Sequence, residues 1–197
     1  MDSQTEPKLA PPGAGLPKIE LMIGRLMFAW RRWRGDRDMF NARFQVERQA
    51  IRGLIRACDA EAGARRVLIE RPRGLEDSSR YWSVWMTLDH LRIIHNEIIR
   101  IIGSLTNGVQ PAGIVSTAAV KPSADATIAV SSDYERSCDA LLETVAAARN
   151  LKTHLCHVHP WFGPLDAAGW HALAPGHMGI HRVQIERIVA GHARGSG

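Results

Sequence analysis

The sequence predicts an all-α protein, and three observations carry that expectation. Four long segments repeat their apolar residues at the 3.6-residue rhythm of a helix. No segment makes a convincing strand. Clusters of glycine, proline and polar residues separate the long segments. Four such segments suffice for a bundle, and a further amphipathic helix precedes them.

Residues 1–17, MDSQTEPKLAPPGAGLP, read as a flexible arm ahead of a single domain spanning 18–197. From Lys18, apolar residues at 19, 22, 23, 26, 27, 30 and 33 mark the additional amphipathic helix, which Gly35 interrupts. A second helix is expected from about Asp36 to Glu61, with Phe40, Phe44, Ile51, Leu54, Ile55 and Cys58 along one face. Gly63 to Arg80 reads as a connection. SSRYWSVWMTLDHLRIIHNEIIRIIGSL then runs without a breaker to Gly103, and Ser78 or Ser79 is the expected N-cap. Its density of Trp82, Trp85, Met86, Leu88, Leu91, Ile94, Ile98 and Ile101 suits the middle of a bundle.

Thr106 to Val130 has no helical period and predicts a long loop between the second and third bundle helices. Such a loop either crosses the bundle end over a pocket or lies on the surface. Tyr134, Cys138, Leu141, Leu142 and Val145 restore the helical step. Asp166 is the expected cap of the last helix, which contains Pro175-Gly176. An interior proline removes one backbone hydrogen bond and crowds the preceding turn, at about 3 kcal/mol, so a kink or a restart is expected there.

The 197 residues carry a net charge of +5, and 21 of the 25 basic residues are arginine. Acidic residues are scattered among them, so the basic run RRWRGDR reads as solvated helix face, with no nucleic-acid partner. Three cysteines without a C-x2-C spacing argue against a disulfide framework and for a reducing, cytoplasmic setting. LMIGRLMFAW, the most apolar stretch, is too short to span a bilayer. P-loop, G-x-G-x-x-G and G-x-S-x-G motifs are absent.

The chemistry concentrates in histidine. His177 and His181 stand four apart, on one helical face, within reach of one metal ion. A catalytic site of the zinc type commonly takes three protein ligands and keeps a position open. Candidates for the third are His90 and His95 on the apolar helix, and His154, Cys156, His157 and His159 before the last helix. His90 shares its face with Met86 and Ile94 and so points inward, where an imidazole needs a partner. His95 falls off that face. Gln184 continues the His177/His181 stripe, as a hydrogen-bond partner or as a plain surface glutamine. Trp82 and Met86 are candidate pocket wall, and Glu97 is expected to pair with an arginine.

WSVWMTLDHL, then HPWFGPLDAAGWHAL and HMGIHRVQI, in that order, resemble the DinB-like family of metal-binding four-helix bundles. The likeness runs from about residue 36 to 190. It implies metal ligands at His90, His177 and His181. Three neutral imidazoles suit a divalent zinc, nickel or iron ion. The resemblance further implies that the ion activates a low-molecular-weight thiol for transfer to an electrophilic small-molecule substrate, as in an S-transferase or a thiol-dependent isomerase. Two alternatives stay open: a metal-dependent hydrolase, for which no carboxylate stands out as general base, and a non-catalytic binding bundle. The amphipathic helix at 18–33 makes a homodimer or a membrane-surface contact the further expectation.

Overall fold

The structure, a computed structural model, describes residues 7–194. Its helices are α1 (Lys18–Arg34), α2 (Arg37–Arg56), α3 (Ala60–Ala64), α4 (Val84–Thr106), α5 (Val130–Ala147) and α6 (Ala167–Arg194). The four long helices α2, α4, α5 and α6 form a bundle in which α4 packs on both α5 and α6, and α2 packs on α6. The core has a contribution from each: Phe44 and Ile51, Leu91 and Ile98, Tyr134 and Leu141, Trp170 and Met178 are all buried. Fully burying a side chain of this size stabilises by roughly 1.5–3 kcal/mol, so the bundle rests on apolar burial.

Polar side chains close the helix ends. Asp36 accepts from the Met39 amide at 2.8 Å, and Asp166 accepts from Gly169 at 2.8 Å. The cap of α4 is Ser83, whose hydroxyl accepts from the Met86 amide at 3.1 Å, rather than Ser78 or Ser79. Those two lie in a short 3-10 turn, Asp77–Ser79, and are used elsewhere. The second helix also ends earlier than its periodicity predicts. α2 stops at Arg56, and Asp59 caps the separate α3 through the Ala62 amide at 2.7 Å. Asp59 offers its own oxygen to a backbone donor and so restarts the helix.

Two small ladders were invisible to the periodicity. β1 (Val67–Leu68) pairs antiparallel with β2 (Tyr81–Trp82), and β3 (His157–His159) with β4 (Gly163–Leu165). Strands of two or three residues are too short to display a period, and they leave the helical class unchanged. Within the arm, residues 1–6 lie outside the described residues. Farther along, the Ala10 amide donates to Asp77 at 2.8 Å and the Gly13 amide to Glu76 at 3.3 Å.

The helix does not restart at Pro175: α6 runs from Ala167 to Arg194 with the proline inside it. The proline removes one amide, but Trp170, Ala174, Met178, Ile185 and Ile188 bury the helix on both sides of the gap. Burial on that scale outweighs about 3 kcal/mol of local cost.

Candidate metal centre

Continuity through Pro175 decides where the histidines go. His177 and His181 stay one turn apart on α6, and α4 brings His90 against them from across the core. Nε2 of His177 lies 3.3 Å from Nε2 of His90 and 3.2 Å from Nε2 of His181. His90 and His181 are 7% and 4% exposed, while His177 lies half-buried and lines the adjoining cavity.

The partners on the far side of two rings define their protonation. Nδ1 of His90 donates to the Val120 carbonyl at 2.7 Å. Nδ1 of His181 donates to the side-chain oxygen of Gln184 at 2.6 Å. The Gln184 oxygen is turned that way because its amide nitrogen donates to the Ser79 carbonyl at 2.7 Å. With hydrogen on Nδ1, each Nε2 presents a bare lone pair. Burial pushes the His90 pKa down to about 4. It also holds His177 and His181 well below the ordinary range, with mutual repulsion adding to the effect.

Two bare lone pairs therefore converge on a third imidazole nitrogen in a buried place. A proton on His177 Nε2 would satisfy one of them; a cation satisfies all three. Metal–nitrogen bonds of about 2.0–2.1 Å in tetrahedral array hold ligand nitrogens about 3.3 Å apart. The spacing and donor set thus fit a divalent transition ion, and the three histidines could hold one. Among the described residues no other cluster of three histidine, cysteine or carboxylate groups has this convergence.

The surroundings are aromatic and weakly cationic. Trp82 lies parallel to the His181 ring at a centroid distance of 6.1 Å and packs on His90 at 5.1 Å. The Lys121 ammonium sits 5.1 Å above the Trp82 ring and donates to the Ser78 and Ser79 hydroxyls. Desolvation lowers its pKa. A cavity of about 760 Å³ opens beside the histidines, with Ile94, Ile98, Phe162, Trp170 and Leu173 in its wall and α1 along one side.

The other candidates disperse. Met86 is buried and does not line the cavity. His95 is fully buried against the Ser137 hydroxyl, 3.0 Å from its Nδ1. Cys156 is exposed and His157 is buried beneath its strand, while His159 joins the cavity wall. Glu97 pairs with Arg100 at 2.6 Å, an ordinary ion pair. The sequence did not reveal the Val120 and Ser79 carbonyls or Lys121. A backbone carbonyl leaves no trace in residue type, and the 106–130 loop has no period from which its path could be read.

No family model matches the chain, and no curated protein matches it. A solved structure does. The crystal structure of TT2238, described as a four-helix bundle protein, is similar over 76% of this chain and 97% of its own, with a TM-score of 0.54 at 21% identity. At that identity the likeness shows the fold alone. The chain is a helical bundle with a three-histidine group that could bind a metal ion.

Proposed function

We propose that the chain is a metal-dependent enzyme of the DinB-like type, which activates a low-molecular-weight thiol for transfer to an apolar electrophile. The observation that carries this is the convergence of three Nε2 atoms, two of them stripped of hydrogen by the Val120 carbonyl and Gln184. His90, His177 and His181 would hold the ion, with zinc, nickel and iron all suited to imidazole. Such an ion supplies a Lewis acid that lowers the proton affinity of a thiol or water it binds.

The chain's own groups do the rest. Gln184 and the Val120 carbonyl keep the Nδ1 protons in place and fix both rings in orientation. The apolar walls exclude water and receive an apolar partner. Lys121 provides a fixed positive charge beside the imidazoles, which favours an anionic sulfur over a neutral one. A hydrolase is the second reading: of the cavity-lining carboxylates, Glu20 is held by Arg71 and Glu97 by Arg100, while Glu76, buried and bonded through one oxygen to the Gly13 amide and the Ser78 hydroxyl, is the one left to serve as a base.

Metal content of the purified protein, by elemental mass spectrometry, tests the first half. About one transition-metal ion per chain is expected. It should be lost in His90→Ala and His181→Ala. Thiol consumption with an epoxide or aryl halide, before and after chelation, tests the second half. Metal without thiol consumption would leave a metal-binding bundle and end the transferase reading.

A further inference from the structure

α1 presents its apolar side to solvent. None of its side chains is buried, and Ile19, Leu26 and Trp33 are 71%, 66% and 81% exposed. With Ile23 and Trp30 they form a ridge at alternating steps of four and three residues, the seam of one helical face. The side turned to the protein is held by polar ties, Glu20 to Arg71 and Arg32 to Asp166, and by Phe28, which packs on Phe162 at a centroid distance of 4.5 Å.

An uncovered apolar ridge of this length marks an interaction surface. Its charge identifies the partner. α1 carries five basic residues, Lys18, Arg25, Arg31, Arg32 and Arg34, and one acidic residue, Glu20. Glu20 is held by the Arg71 guanidinium at 2.6 Å and the Gly74 amide at 2.6 Å. A second copy of α1 laid along the ridge would bring like cations together with no available carboxylate between them. Lys18 and Arg34 are exposed along the borders of the ridge, and the Arg34 guanidinium lies 5.4 Å from the Trp30 ring centroid. Tryptophan and leucine on the apolar side, flanked by cations, suit a helix lying in the plane of an acidic bilayer surface.

We propose that the outer face of α1 docks on an anionic lipid surface. Ile19, Ile23 and Met27 also border the histidine cavity, so the docked face and the cavity open on the same side. Docking itself is independent of the histidine chemistry.

The test is co-sedimentation of the full chain with phosphatidylcholine vesicles, with and without phosphatidylglycerol. Binding is expected to the anionic vesicles alone, with a blue shift of tryptophan fluorescence and release at high salt. Leu26→Glu and Trp33→Glu should abolish it. Lys18→Gln and Arg34→Gln should each weaken partitioning about fivefold. These cations are exposed, so the pair decides the matter even if an apolar variant misfolds. Equal binding to both vesicle types, or none to either, overturns the proposal. So does a dimer in sedimentation equilibrium that Leu26→Glu dissociates and that ignores vesicles, since the face would then belong to a second copy.

Discussion

Gln184 and Ser79 are separated by 105 positions in sequence and joined by one hydrogen bond of 2.7 Å, and that bond sets the tautomer of His181. Donation to the Ser79 carbonyl leaves the glutamine only its oxygen for the imidazole. Gln184→Leu should therefore weaken metal binding about 10- to 100-fold, as outer partners of ligand histidines do. Competition with a chelating dye would measure it. Unchanged affinity would show that the glutamine does not orient the ring.

Glycine at position 63 is a packing requirement. A Cβ there would lie 2.3 Å from two carbons of the Trp85 indole, whose nitrogen donates to the Ala60 carbonyl. Gly63→Ala should destabilise by about 1–3 kcal/mol in urea unfolding. Gly53→Ala, in α2 with nothing within 4 Å, should stabilise by about 0.5–1 kcal/mol.

Acid should destabilise the fold through histidines outside the triad. Burial pushes His171 to about 4, with Arg37 adding to the effect; His159 also lies at about 4 and His95 at about 3. Unfolded imidazoles take up protons below about 6.5, whereas these do not until far lower. The unfolded state thus binds more protons between those values, and stability is lost as pH falls from 6.5 toward 4. Urea midpoints across that window should fall steeply, and His171→Gln should flatten the slope by one proton. A midpoint insensitive to pH there would contradict the burial of these rings.

Arg48 is 4% exposed and is held by Glu135 and Asp139 across the α2–α5 contact. In Arg48→Ala, Glu135 would keep Arg52 at 2.5 Å and Asp139, 59% exposed, would turn to solvent. The loss expected in thermal or urea unfolding is therefore that of the hydrogen bonds and packing of the buried guanidinium, about 1–2 kcal/mol. Arg136→Ala, whose side chain is 72% exposed in its pair with Asp133, should shift stability by no more than about 0.5 kcal/mol.

Periodicity was a good guide to which residues share a helix and a poor guide to what that helix faces. His90, His177 and His181 were legible because residues four apart share a face and because Met86 and Ile94 turn His90 inward. The ring partners were not, since they lie on a carbonyl of an aperiodic loop and on another of a 3-10 turn. A restart at Pro175 was one of the two expected outcomes because local propensity was weighed without the packing of α6 on α2 and α4. α1 has the pattern of a core helix, yet its ridge faces outward. The pattern alone does not distinguish burial against the chain from burial against something else.

The attachment of α1 has a consequence for hydrogen exchange. Arg25 donates to the Trp161 carbonyl, Glu20 receives Arg71, and Arg32 meets Asp166, while no side chain of the helix is buried. Polar ties and one half-buried aromatic contact, Phe28 on Phe162, make a unit that opens at a small fraction of the global unfolding free energy. The amides of Leu21 to Trp33 should exchange with solvent by that local route, far ahead of those of α4 and α6. Mild denaturant should leave their rate nearly unchanged, because little surface is exposed when only this helix lifts.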